Sequence, residues 1–279
     1  MQKNKKLIAV IIFAAAILLA VGGILLAVLL NNGQNNETVA PAVTEAQQSA
    51  ADYYTKRIGV MSGSIYEGVV KRTMPDASVS FFDKAADMAE AVSAGTIDAF
   101  VCSDIQAAAL TEQYKDIKIL DVLPEKSDIA FAFPKNEQGA SLRDEFNEYL
   151  SKIKTDGTYD ALREKWNDGG DKAVEITVLP DADNALIMAT TGTTEPYTYM
   201  SQGRLTGLDI DLAADFSREY GYNLDIRVME FGSIIPGLSS GEFDLAGANI
   251  TITEERAESV YFSDSYTSND TALVVKASQ

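Results

Sequence analysis

The chain has 279 residues, with Lys+Arg 23 against Asp+Glu 41 and a formal net charge of −18. That acidic excess argues against nucleic acid as a partner, since phosphates are held by clustered Lys and Arg, and against docking on anionic lipid through a basic surface. The chain contains no histidine and one cysteine, Cys102, which excludes Ser-His-Asp and Cys-His catalysis, His-ligated or Cys-only zinc, and an intrachain disulfide. No cofactor or metal is implied, and most enzyme classes fall away.

Lys3, Lys5 and Lys6 precede an uninterrupted run of apolar residues and glycine, Leu7–Leu30. As a helix it would be roughly 36 Å long, enough for a hydrocarbon core of about 30 Å. The lysines keep the N-terminus in the cytoplasm and place everything after Leu30 outside the cell membrane, in an extracellular or periplasmic position. Residues 1–30 are therefore expected to be a cytoplasmic N-terminus and transmembrane anchor, with the lipid bilayer as partner through residues 7–30. A cleaved signal peptide is the rival, but its apolar region usually spans only about 7–15 residues. Asn31–Asp52 is polar, alanine-rich and free of aromatics, so residues 31–55 read as a flexible linker.

Beyond the linker, short β-rich runs alternate with helical patterns. Strands are expected at Arg57–Met61, Val79–Phe82, Ala99–Cys102, Ile117–Leu120 and Ile129–Phe133. Helices are expected at Ile65–Arg72, Ala85–Ala94, Ile105–Glu112, Leu142–Ile153 and Tyr159–Trp166. After the break Asn167–Asp171 the pattern restarts: strand Ala185–Ala189, helix Asp209–Tyr220, strand Leu224–Val228, helix Ser233–Leu238, strand Asp244–Ala246 and a last strand Ala272–Lys276. This alternation implies a mostly parallel α/β arrangement. The segments divide as 56–133, 134–184 (helices and connector) and 185–279. Ser93–Ala99 (SAGTIDA) and Ser239–Leu245 (SSGEFDL) echo one another, each preceded by an aromatic read as a strand end, Phe82 and Phe231. Two similar α/β halves usually meet at a cleft where small ligands bind.

Residues Gly203–Gly221, Phe231–Tyr266 and the closing Ala272–Lys276 resemble the first lobe of amino-acid-type extracellular solute-binding proteins of ABC importers, family 3. Ile58–Glu67, Ser93–Val101 and Asp156–Trp166 are similar to that family's second lobe. The resemblance implies an α/β, two-lobed type II periplasmic-binding-protein-like fold with central mixed sheets, preceded by one transmembrane helix. Because the second-lobe sequence comes first, the lobe order implies a circular permutation, with a fragment of a tandem protein as the alternative. In a permuted chain the linker would emerge at the hinge.

From the residues alone, Thr253 is an N-cap, Glu254 and Glu255 suit the first helical turn, and Arg256 is a solvated arginine paired to a neighbouring Glu. The resemblance gives Arg256 a different role, clamping a ligand carboxylate together with Thr251, with Asn249 on the same binding strand end. It further implies that Phe231 stacks on the ligand, that Thr191 and Thr194 line the first-lobe loop, and that Ser64 offers N–H groups from the opposite lobe. Where the family carries an acid for the ligand ammonium, this chain has Ser103, with Asp104 next to it. An anion clamp with a weakened ammonium site implies a carboxylate that need not be an ordinary α-amino acid. The function implied is capture of a small carboxylate-bearing solute, an amino acid in the first instance, by hinge closure for an ABC permease. A ligand-sensing or degenerate interaction module is the alternative. An enzyme on this scaffold would depend on Glu195 or Asp104 as its base.

Overall fold

The computed structural model describes residues 48–167, 172–178 and 184–277. The span Leu7–Leu30 lies outside the described residues, as do residues 168–171 and 179–183 of the segment 134–184. Among those described, no helix is long and apolar enough to cross a membrane.

Gln48–Gln279 form one compact unit. It opens with a 3-10 helix, Ala50–Tyr53, inside the stretch read as linker; Ala50 and Tyr53 are buried. The first part then runs β1 (Arg57–Met61), α1 (Tyr66–Thr73), β2 (Ser78–Phe82), α2 (Ala85–Ser93), β3 (Ala99–Ser103), α3 (Asp104–Gln113) and β4 (Ile117–Pro134), followed by α4 (Glu137–Asp156) and α5 (Thr158–Trp166). The second part runs β5 (Ala185–Thr190), β6 (Thr193–Thr194), β7 (Thr198–Ser201), β8 (Arg204–Thr206), α6 (Leu208–Tyr220), β9 (Asn223–Val228), α7 (Phe231–Ser239), β10 (Leu245–Thr251), α8 (Glu254–Ala257), β11 (Val260–Phe262) and β12 (Thr267–Lys276).

The main sheet has the order β2-β1-β3-β12-β4-β10-β5-β9, with β11 on β4, and β6-β7-β8 form a small separate sheet. Each half is a parallel triplet, β2-β1-β3 on one side and β10-β5-β9 on the other. Between them β12 and β4 run antiparallel. The alternation implies a mostly parallel sheet; the sheet is instead mixed, as the resemblance implies, because β4 and β12 pair antiparallel with their neighbours. Strand β3 is buried at every position, which is why it reads as a continuous apolar run rather than an alternating one. Helix α4 buries Leu142, Phe146, Tyr149, Leu150 and Ile153, a single stripe at helical spacing. Phe146 packs on Phe131 and Phe216, with ring centroids 4.5 and 5.0 Å away.

The expected pieces Ile117–Leu120 and Ile129–Phe133 are one strand. The polar stretch between them hides this continuity, but β12 pairs along both ends of β4, with register shifts near the middle. Phe231 is the first residue of α7 rather than a strand end.

The echoed segments fold alike. Gly95 and Gly241 both take left-handed φ values, +74° and +77°. After each, a backbone N–H reaches back five residues, Thr96 to Ala91 O and Glu242 to Gly237 O, closing the helix in a Schellman pattern. The aspartate that follows then clips the joint to the central strand of its half. Asp98 Oδ2 accepts from Arg57 N at 2.9 Å, and Asp244 Oδ2 accepts from Ile187 N at 2.8 Å. Hydrogen bonds from the Arg57 guanidinium hold the Asp98 carboxyl down at about 2.

Both outer ends of this fold meet the Ser93–Asp98 turn. Arg57 donates to Thr96 O and Gly95 O, while Lys276 Nζ donates to Ser93 O at 2.6 Å. Ile58 and Val275 flank Ala99 from opposite sides, two strand spacings or about 10 Å apart. This turn is remote from the β1–α1 loop, and β12 passes toward the other half at its opposite end, where Thr267 pairs with Ile129. Arg57 therefore lies at the end of β1 opposite the β1–α1 loop.

Candidate functional site

Parallel α/β sheets bind ligands beyond the carboxyl ends of their strands. Here β1 leads into Ser62–Ile65, β3 into Asp104, β5 into Thr191–Glu195 and β10 into Ile252–Arg256. These loops face one cleft. A groove of about 1130 Å³ runs along its mouth, and a small pocket of about 20 Å³ adjoins it between Ser64, Gln106, Thr194, Phe231, Asn249 and Arg256.

Arg256 is positioned locally by Thr253, whose hydroxyl accepts from Arg256 N at 3.1 Å and caps the four-residue helix α8. The guanidinium turns back over the end of β10. Nη1 donates to Thr251 O at 2.8 Å, and Nη2 crosses the cleft to Gly63 O at 3.0 Å. The Phe231 ring lies beneath it, 5.4 Å from Cζ, a cation–π arrangement. Burial lowers the guanidinium pKa to about 10, so it remains charged at neutral pH. Among the described residues no carboxylate forms an ion pair with it. The solvated, Glu-paired arginine expected from residue pattern alone is not what forms.

Asn249 interrupts β10 with φ +52°, in the stretch where the register to β4 shifts; Asn tolerates this conformation better than most residues. Its N–H donates to Asp209 Oδ2 at 2.8 Å, and its Oδ1 accepts from Asn269 Nδ2 at 2.8 Å. Tyr266 donates to Asp209 Oδ1 at 2.6 Å. Asp209, fully buried at the start of α6, thus anchors the bulge that shapes the pocket floor.

Burial raises the Asp209 pKa to about 7 against the two hydrogen bonds that lower it. A carboxyl whose folded pKa lies above its unfolded value of about 3.9 favours folding most at low pH, and that contribution is lost as pH rises from about 4 to 7. The melting temperature of the protein should therefore fall between pH 5 and 7.5 more steeply than that of Asp209→Asn. Parallel pH dependences in thermal melts of the two would contradict this assignment.

The other expected residues separate. Ser64 and Thr194 line the small pocket with Thr251 and Phe231, and the buried Thr194 hydroxyl has no hydrogen-bond partner. Thr191 is buried but lines neither the pocket nor the groove. Ser103 is occupied as the N-cap of α3, accepting from Gln106 N at 3.2 Å. Asp104 Oδ1 accepts from Asp270 N on β12 at 3.0 Å. Cys102 is buried in β3 with its thiol pKa pushed up by burial. Two contributors have no signal in sequence: Gly63, which acts through a carbonyl, and Gln106, a lone amide in the first turn of α3.

A mixed α/β sheet with a cleft at the carboxyl ends of its strands is an arrangement suited to binding small ligands. The family model of bacterial extracellular solute-binding proteins, family 3, matches residues 186–279, about a third of the chain. The probable amino-acid-binding protein YxeM of Bacillus subtilis is 31% identical over 94 residues, covering 34% of this chain and 36% of its own. The arginine-binding extracellular protein ArtP of the same organism is 34% identical over 91 residues, covering 33% and 36%. A solved ancestral arginine-binding protein bound to glutamine is 40% identical over 29% of this chain and 36% of that one, with a TM-score of 0.29. The chain thus spans about a third of the length of these relatives.

Proposed function

We propose that the protein is a two-lobed solute-binding component held at the outer face of a cell membrane by residues 7–30, which captures a small carboxylate-bearing solute by cleft closure and delivers it to an ABC permease. The observation that carries this reading is the Arg256 guanidinium. It is charged, half-buried beside Phe231, without an ion pair to any described carboxylate, and bonded at once to Thr251 O in its own half and Gly63 O in the other. A planar fork in that position can donate two parallel hydrogen bonds to a carboxylate. Contacts offered from both halves favour the closed state when a ligand bridges them.

The lobes are the two parallel triplets, and the hinge is the β4–β12 pair that crosses between them. Permuted lobe order is supported by the convergence of Arg57 and Lys276 on the Ser93–Asp98 turn, because a short link could join them in either order. The residues proposed to hold the solute are Arg256, Thr251, Asn249, Phe231, Thr194 and Ser64. Capture requires no reaction, in keeping with relatives named as binding proteins.

The test is calorimetry of the detergent-solubilised chain with a panel of amino acids and simple 2-substituted carboxylates. Saturable binding of at least one at micromolar concentration is expected. A folded protein giving no heat with any of them would contradict capture and favour the interaction-module alternative.

A further inference from the structure

The small pocket is lined by one charged side chain, Arg256, and by no acid; Glu255, in the outer groove, acts on that charge from outside it. The other polar groups lining the pocket are neutral, chiefly Thr194, Gln106 and Asn249. The nearest acids are otherwise placed. Asp104 is turned to the backbone of β12, and Asp209 lies behind Asn249, bonded to its N–H and to Tyr266. Asp128 and Glu255 line only the outer groove and are exposed to water. Glu195 borders a separate cavity of about 260 Å³ that Gln106 also lines, and it already has a partner.

Two neutral groups are poised to act in place of an acid. The Thr194 hydroxyl, 3% exposed, has no hydrogen-bond partner. The Gln106 side chain, 6% exposed, makes none of the hydrogen bonds found among the described residues, whereas its backbone N–H is held by Ser103. A hydroxyl and a carboxamide can each donate and accept. They can satisfy a neutral oxygen on a ligand, but they cannot neutralise a buried ammonium, whose burial without a counter-ion is strongly unfavourable.

From this pairing of a lone guanidinium with neutral Thr194 and Gln106, we infer that the solute is a 2-hydroxy or 2-oxo carboxylate rather than a zwitterionic amino acid, and that Gln106 sets this preference. The inference rests on the carboxylate-capture reading above and narrows its ligand class. The pocket of about 20 Å³ holds no more than a water, so the halves must part to admit the solute; its carboxylate would then take the Arg256 fork, and the oxygen on the second carbon would face Thr194 and Gln106. A net anion suits a pocket whose one charged lining group is positive, while a zwitterion would bring a cation with nothing to meet it.

The experiment is calorimetry on the full solubilised chain with ligand sets matched in side chain: leucine, 2-hydroxy-4-methylpentanoate and 4-methyl-2-oxopentanoate; alanine, lactate and pyruvate; glutamate, 2-hydroxyglutarate and 2-oxoglutarate. In the sets that bind, the hydroxy or oxo acid should be at least about tenfold tighter than the amino acid, the scale of one unmet charge–dipole preference. Gln106→Glu, which places an acid in the first turn of a helix where one is well tolerated, should reverse the order within the same set. Amino acids binding as tightly as their hydroxy and oxo partners would overturn the inference while leaving carboxylate capture intact. An order unchanged by Gln106→Glu would overturn the role given to Gln106. Absence of binding by every member, with a native thermal melt, would overturn capture and this inference together.

Discussion

Arg256→Ala should weaken solute binding by about 100-fold or more, and Arg256→Lys should recover little of that loss. Removing one member of a desolvated, hydrogen-bonded charge pair costs about 2–5 kcal/mol, which corresponds to roughly 30- to several-thousand-fold in affinity. Lysine keeps the charge but not the geometry. The guanidinium reaches Thr251 O and Gly63 O with separate nitrogens, whereas an ammonium is a point charge without a planar fork. The face resting on Phe231 would also be lost. Stability should change little, because Arg256 is only partly buried and α8 keeps its Thr253 cap. Calorimetry paired with a thermal melt separates the two effects; near-normal affinity in Arg256→Lys would contradict the fork assignment.

Gly63→Ala should prop the cleft open. A Cβ on Gly63 would lie 2.8 Å from Gly232 Cα across the cleft, and Gly63 has φ +71°, a conformation that costs other residues about 1–2 kcal/mol. Backbone cannot give way as a flexible side chain would, so the halves must separate. Two controls isolate the cause. Gly95 has φ +74° but nothing within 4 Å of its Cβ position, so Gly95→Ala carries the conformational cost without the clash. Gly232→Ala meets only Ser62 O, at 3.9 Å, and should be tolerated. Solute affinity should fall about tenfold or more in Gly63→Ala alone, the scale set by losing roughly 1.4 kcal/mol of closure. Equal losses in Gly63→Ala and Gly95→Ala would show that strain, not closure, is responsible.

Much of this fold is legible in the residues, and the reasons differ by element. The buried strands β1 and β3 and the amphipathic helix α4 follow from apolar runs and helical spacing, and the S-x-G-x-apolar-D joints announce both halves because their Gly and Asp each have a fixed structural task. Strand β4 is less legible, since its polar middle from Asp121 to Asp128 is held by pairing with β12 rather than by its own pattern. The small sheet β6–β8 leaves no mark in the sequence, because strands of two to four residues carry too little periodicity. At the site, Arg256 is visible only through resemblance; its local sequence, in an acidic helical turn, describes a surface ion pair. Ser103 and Asp104 were candidates by position, but the start of α3 and the backbone of β12 occupy them. Gln106 and the Gly63 carbonyl acquire meaning only when the halves are brought together.

The central claim is that a carboxylate solute draws the two halves together over Arg256. Glu67 and Glu255 line opposite sides of the groove, and Cys102 is buried and free, so Glu67→Cys/Glu255→Cys accepts spin labels at those two positions. Dipolar distance measurement on the full chain should show the distribution shift to a single shorter separation when a calorimetrically identified solute is added, with no shift once Arg256→Ala is introduced. A distribution unchanged at saturating solute would contradict closure as the act of capture.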